Sequence, residues 1–206
     1  MVIGTHYVSG SLFFYARKSI ERAKNGDEHE SIPSILLSTI GFESFCNEMI
    51  EITLSQLKEP SDKIKEQFNE ITSRTCKIRD KYKILYRILS NKSIDASSSI
   101  YDDFILLFDL RNELIHRKPE KCEWDPNDPE RTYSVHPLIK RFVTKNIIPK
   151  PHPNNPTGWF QYVNDSKVAK WALDTVILNS KYICENISDE NYKKFILKIY
   201  EYTLKP

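Results

Sequence analysis

Apolar side chains recur along most of this chain at the spacing of one helical face, about every three to four residues. Together with stop and start residues, such as Asn25-Gly26 and then Ser31 and Pro33, the pattern marks the ends of individual helices. It predicts helices over 5–24, 31–58, 97–117, 166–186 and 189–204. The stretches 61–74 and 78–89 fit either one broken helix or two short ones. The chain is therefore predicted to be all-α.

The helical pattern stops between Pro119 and Pro156, where eight of the eleven prolines lie. Proline removes a backbone donor and clashes with the preceding turn, so no long helix can continue through this stretch. We expect a long insertion over 119–165, either ordered or a mobile loop, before the last two helices. The remainder predicts an up-and-down helical bundle.

Composition places the chain among globular proteins. Its 206 residues suit one domain over 1–206, with 40% hydrophobic and 28% charged residues and a net charge of +2. The small net charge therefore does not indicate nucleic-acid binding. The four cysteines are widely separated, which excludes a zinc-type pair and favours reduced thiols in a cytoplasmic protein. No apolar run is long enough to predict a membrane span.

The predicted helix over 97–117 carries two side chains that do not suit its apolar character. At ~100° per residue, Arg111 falls in the apolar row that contains Phe104 and Ile115. A guanidinium stays charged, so burial there requires an acidic partner, a bound anion or a water-filled cleft. His116 lies five residues beyond Arg111, ~140° around an ideal helix. The two side chains reach one ligand only if the helix end loosens or two chains contribute.

The predicted helix over 31–58 has a matching irregularity. Glu43 and Asn47 interrupt an otherwise apolar row. Carboxylates are the strongest bidentate partners of arginine, so we expect Glu43 to meet Arg111 across the bundle interior. Such a pair is more often structural than catalytic when it stands alone. A lone histidine near a helix end usually stabilises the helix dipole.

The segment 111–116, with Asn112 after the arginine and His116 four residues further, resembles the signature of the HEPN superfamily. In that family an arginine is usually followed by a polar residue, with a histidine four to six residues beyond. The segment 41–48 resembles an upstream helix that is common in these proteins. The likeness in architecture covers most of the chain, except 119–165, which has no counterpart in the minimal bundle.

The resemblance implies a HEPN-type helical bundle that forms a two-fold homodimer with a composite active site. Many such proteins are metal-independent endoribonucleases that serve as toxins of toxin–antitoxin pairs or as anti-phage effectors. It implies RNA as substrate, no cofactor or metal, and an antitoxin or another regulatory protein as partner. His116 would be the general base or acid, Arg111 would stabilise phosphoryl charge, and Asn112 would orient the histidine or the phosphate. Glu43 and Asn47 would support the site.

Basic residues follow the motif and enter the insertion, where Asp and Glu are absent from 131 to 164. Aromatic residues such as Phe142 and Trp159 lie between them, a mixture that can follow a phosphate backbone and stack bases. An ordinary loop that packs its aromatic side chains on the bundle is the alternative. The RNA-binding candidates are Arg117, Lys118, Arg131, Lys140, Arg141 and Lys145.

Two further functions stay open at this point. A HEPN-like bundle could use the same arginine and histidine to bind a partner protein, a nucleotide or RNA without catalysis. The other alternative is a helical protein with a purely structural role. A two-fold dimer whose motifs share one open, positive cleft would favour the nuclease.

Overall fold

The computed structural model describes residues 7–56, 62–73, 75–116, 136–150 and 158–204, and these are helical without a strand. The prediction of an all-α bundle is confirmed for these ranges. A 3₁₀ turn over Glu28–Glu30 precedes the second helix. The helices are α1 (Val8–Lys24), α2 (Ser31–Gln56), α3 (Asp62–Thr72), α4 (Ile78–Ser90), α5 (Ser99–His116), α6 (Pro137–Thr144), α7 (Trp159–Val163), α8 (Ser166–Glu185) and α9 (Glu190–Ile199).

Most helix ends fall within a few residues of their predicted positions. The stretches 61–74 and 78–89 correspond to two helices, α3 and α4, rather than one. Asp189 is the N-cap of α9, where its side chain accepts a hydrogen bond from the Tyr192 N–H. Among the described helices, none combines the length and apolar character needed to cross a bilayer.

The insertion contains helical structure that the proline pattern did not predict. Helix α6 begins at Pro137, and the ring Nδ1 of His136 accepts the N–H of Leu138 at 3.3 Å. Proline fits the first helical position because its missing donor would be unpaired there anyway. Counting prolines only as helix breakers therefore missed α6. Residues 119–135 and 151–157 lie outside the described ranges.

Helices α1 and α2 pack closely and antiparallel. The Ser34 hydroxyl of α2 donates to the Ala16 carbonyl of α1 at 3.0 Å. Further along, a Cβ atom at Gly41 would lie 2.6 Å from the Phe13 ring, well inside van der Waals contact. Glycine at this position therefore sets how closely the two helices approach.

Helix α2 lies at the centre of the core, against α1, α8, α4 and α5. The Phe42 ring contacts aromatic rings of both α4 and α5, including Tyr82 at 5.5 Å and Phe104 at 5.3 Å between centroids. Deeper still, the Tyr82 hydroxyl donates to Asn179 Oδ1 at 2.8 Å, and the Asn179 amide donates to the Thr175 carbonyl at 2.8 Å. These bonds satisfy polar groups that would otherwise be costly to bury.

The Glu48 carboxylate of α2 caps the N-terminus of α1 from a neighbouring helix. Its oxygens accept the backbone N–H groups of Val8 at 2.7 Å and Ser9 at 2.8 Å, and the Ser9 hydroxyl at 2.5 Å. The N-cap residue Tyr7 makes no side-chain cap bond of its own. A negative charge at a helix N-terminus also complements the helix dipole. Glu48 therefore replaces the local cap that α1 lacks.

The same carboxylate also holds the C-terminal end of the described chain. The Tyr200 hydroxyl, which follows α9, donates to Glu48 Oε2 at 2.9 Å. Burial, together with the nearby Glu48 charge, raises the pKa of Tyr200 above its ordinary value. Tyr200 therefore remains a neutral donor, and one side chain joins α1, α2 and the segment after α9.

We predict that Glu48→Ala lowers the free energy of unfolding by about 2–3 kcal/mol, because it leaves hydrogen-bond donors of Ser9 and Tyr200 without their acceptor. Urea unfolding measures the loss. Glu51→Ala removes an exposed carboxylate from the same helix and should change stability by no more than about 0.5 kcal/mol. Equal losses for the two variants would contradict the capping role of Glu48.

Candidate functional site

Arg111 lies near the end of α5 beside a carboxylate of α2. Its Nη2 atom is 3.8 Å from Glu43 Oε1, and its Nη1 donates to Asn112 Oδ1 at 3.1 Å. The Nε atom is buried and has no hydrogen-bond partner among the described residues. The structure thus brings together three of the sequence-predicted site residues and leaves the Arg111 Nε without a hydrogen-bond partner.

The Arg111–Glu43 pair lies at the edge of the bundle, which differs from the interior position expected from the sequence. The two side chains are 27% and 36% exposed. Along α5 the apolar row leaves the core at this level, since Phe104 is fully buried whereas Ile115 is 48% exposed. On α2 the row through Glu43 likewise contains Ile40, which is 46% exposed. Helix α2 is apolar on most sides, so residue spacing alone did not identify its buried face.

His116 is exposed and is the last residue of α5. The helix stays regular up to that residue, so the loosening considered from the sequence does not occur within the described part of α5. Five helical positions then separate the Arg111 and His116 side chains by ~140°. On a regular helix the two side chains of one chain therefore point in different directions.

Asn47 contacts a residue that the sequence did not single out. Its Oδ1 accepts a hydrogen bond from Lys81 Nζ on α4 at 2.7 Å. The two polar residues in this row of α2 therefore contact two neighbouring helices: Glu43 contacts α5 and Asn47 contacts α4. A lysine near the start of an amphipathic helix gives no local signal of such a contact, because solvent-facing lysines are common there.

Two RNA-binding candidates of the insertion have acidic partners on α5. Arg141 binds Asp102 at 2.8 Å and Asp109 at 3.2 Å. Lys145 lies 2.7 Å from Asp102 and 2.6 Å from Asp103. Arg79 of α4 also pairs with Asp109.

These ion pairs attach α6 to α5 and neutralise much of the positive charge that the insertion seemed to offer. The sequence could not reveal them, because the insertion itself holds no acid from 131 to 164.

The other RNA-binding candidates and the aromatic residues between them divide between exposed, buried and undescribed positions. Lys140 is exposed on α6, whereas Arg117, Lys118 and Arg131 lie outside the described ranges. Phe142 and Trp159 are buried, so neither presents a ring for base stacking. The aromatic side chains at these two positions pack on the bundle, in line with the alternative considered from the sequence.

The Asp102 carboxylate carries the clearest electrostatic effect in this network. Its hydrogen bond with Lys145, helped by the charges of Lys145 and Arg141, lowers the pKa of Asp102 below its ordinary value despite opposing desolvation. Desolvation opposes the charged form of Lys145, but the bonds to Asp102 and Asp103 outweigh it and raise the lysine pKa. Both groups are therefore charged at neutral pH.

The buried cysteines offer no reactive thiol. Burial raises the pKa of Cys184 to about 12 and raises that of Cys46 as well. Both remain protonated near neutral pH, and a thiol rather than a thiolate is a poor nucleophile. Within the described ranges, no group of three or more His, Cys, Asp or Glu side chains is arranged to hold a metal ion.

Comparisons with protein-family models, with curated proteins and with solved structures give no match to this chain. The HEPN resemblance therefore depends on the motif at 111–116 and its setting, an arginine and a histidine at the end of an apolar helix.

We predict that Asp102→Asn destabilises the protein near neutral pH by about 1 kcal/mol or less. The folded-state pKa of Asp102 is lowered, so its ion pairs contribute stability above the unfolded value of about 3.9. That contribution is lost as pH falls through the folded value. The stability gap between wild type and variant, measured by urea unfolding across pH, should therefore close in acid.

Lys140→Met is the matched control, since it removes an exposed cation from α6 without touching Asp102. It should leave the dependence of stability on pH unchanged. A gap for Asp102→Asn that persists undiminished in acid would contradict the ion-pair explanation.

Proposed function

We propose that this chain is a metal-independent endoribonuclease of the HEPN type, in which Arg111, Asn112 and His116 act on a phosphate of RNA. The observation that carries the proposal is the setting of Arg111. Its guanidinium lies between Glu43 and Asn112, its Nε donor is buried without a partner, and His116 is exposed one turn further on. A positioned guanidinium and an accessible imidazole are suited to phosphoryl transfer when two copies of the chain bring them to one phosphate.

RNA supplies the nucleophile for this reaction. A base removes the 2′-hydroxyl proton, and the 2′-oxygen forms a bond to the adjacent phosphorus. The bond from phosphorus to the 5′-oxygen breaks, and an acid gives that oxygen a proton. His116 would act as general base or acid, while Arg111 would stabilise the charge on the phosphoryl oxygens. The products would carry a 2′,3′-cyclic phosphate and a 5′-hydroxyl.

We propose further that the working unit is a homodimer with a composite site. Arg111 and His116 of one chain point in different directions, and a second copy supplies the missing group. Ile40 and Ile115, one turn away from Glu43 and Arg111 respectively, are about half exposed. Apolar side chains beside the motif are suited to an interface that is covered by another copy. A cytoplasmic toxin or anti-phage effector, controlled by an antitoxin or another regulatory protein, is the role that fits this activity.

Non-catalytic binding is the second candidate, and one observation favours it. The His116 side chain makes no hydrogen bond within the described part of the chain. A general base is usually oriented by a further group. A bundle that binds RNA, a nucleotide or a partner protein through Arg111 needs no such orientation.

We predict that the purified protein cleaves single-stranded RNA in the presence of EDTA and leaves DNA of the same sequence intact. His116→Ala should lower the cleavage rate by about 10²–10⁴-fold, and Arg111→Ala by about 10²–10³-fold. Gel analysis of end-labelled RNA measures both rates and identifies the cyclic phosphate.

His29→Ala, which removes an exposed histidine remote in sequence from the motif, should retain full activity. Equal cleavage by wild type and His116→Ala would overturn the assignment of His116. No cleavage of RNA by the wild-type protein would sink the nuclease proposal in favour of binding.

A further inference from the structure

The cations along α5 differ in how completely they are neutralised. Arg79, Arg141 and Lys145 each form an ion pair with a carboxylate of α5. Lys81 instead donates to an amide oxygen of Asn47, and no described carboxylate forms an ion pair with it. Arg111 pairs with Glu43 at 3.8 Å, an ion pair without a hydrogen bond. Among these cations, Lys81 therefore keeps a charge that no described carboxylate neutralises.

Helix α2 holds Arg111 and Lys81 on neighbouring turns. Glu43 and Asn47 are four residues apart, so they lie on one face with their Cβ atoms about 5–6 Å apart. Arg111 is attached to the first and Lys81 to the second. The two cationic groups thus come from different helices, α5 and α4, but both contact side chains of α2.

The hydrogen bonds of these two groups leave donors for a ligand. Arg111 donates one Nη1 hydrogen bond to Asn112, and its other Nη donors form no hydrogen bond with a described residue. An ammonium group has three donors, and within the described chain Lys81 uses one of them on Asn47. Phosphate oxygens are the acceptors that guanidinium and ammonium groups bind most readily.

We propose that Lys81 is a second phosphate-binding residue of the site, that it acts with Arg111 on neighbouring phosphates of one RNA strand, and that Asn47 positions it. This inference builds on the proposed function, because it assigns RNA as the ligand. A nucleic-acid strand carries one phosphate per nucleotide, which suits two cations mounted on successive helical turns. Asn47 therefore supports Lys81 rather than Arg111.

The test measures binding separately from cleavage. The probe is a short fluorescein-labelled oligouridylate with 2′-O-methyl groups, which lacks the nucleophile, and its affinity is followed by fluorescence anisotropy over a salt series. Lys81→Ala should weaken binding by about threefold or more and reduce the slope of log affinity against log salt by about 0.7. Lys81→Arg keeps the charge and should restore most of the affinity.

Two further variants test the positioning role and the specificity of the effect. Asn47→Ala should weaken binding less than Lys81→Ala does and should add nothing in the double variant. Lys83→Ala removes an exposed cation from the same helix, one that stacks over Tyr101, and should leave the salt slope unchanged. On cleavable RNA, Lys81→Ala should raise KM and leave kcat unchanged, which a folding defect would not do.

The outcomes separate this inference from the nuclease proposal. Wild-type affinity and salt slope in Lys81→Ala, or an equal loss in Lys83→Ala, would overturn the role of Lys81 even if RNA is cleaved. Absence of binding to the oligouridylate would overturn it too. If binding depends on Lys81 but the protein never cleaves RNA, the phosphate-binding role of Lys81 would be supported and the nuclease proposal would be wrong.

Discussion

The central position of α2 is the constraint on which the rest of the structure depends. This helix contacts α1, α4, α5 and α8, so each polar side chain on it must find a partner on another helix or reach solvent at an edge. Glu48 accepts hydrogen bonds from the start of α1 and from Tyr200, while Asn47 and Glu43 engage α4 and α5. The carboxylates and the amide of α2 thereby fix the positions of its neighbours.

The candidate site is a consequence of that arrangement. Glu43 lies where α2 and α5 leave the core together, so Arg111 is held at an edge where a ligand can reach it. On the opposite side of α5, Asp102 and Asp109 bind cations of α4 and α6. These acidic groups of α5 therefore bind cations on the side away from Arg111.

Local signals in the sequence predicted much of the fold. Asn25-Gly26, Pro33 and Asp189 mark helix boundaries because their backbone and side-chain chemistry acts within one turn. Polar interruptions in two apolar rows also indicated that Glu43 and Arg111 would be neighbours, and the structure places them 3.8 Å apart. Signals of this kind work when the relevant chemistry lies within the helix itself.

Features that depend on distant partners could not be predicted. The cap on α1 comes from Glu48, about forty residues along the chain, and the partners of Arg141 are acids of an earlier helix. Helix α6 was not predicted because Pro137 begins a helix there rather than ending one. The position of Arg111 at the edge of the bundle was missed because α2 is apolar on most sides, and periodicity cannot then identify its buried face.

The central claim is that α2 positions Arg111 for phosphate chemistry through Glu43. Single-turnover cleavage of RNA by wild type, Glu43→Gln, Arg111→Ala and the double variant tests it most directly. We expect Glu43→Gln to slow cleavage when Arg111 is present and to have no further effect when Arg111 is absent. Equal slowing by Glu43→Gln in both backgrounds, or no slowing in either, would contradict it.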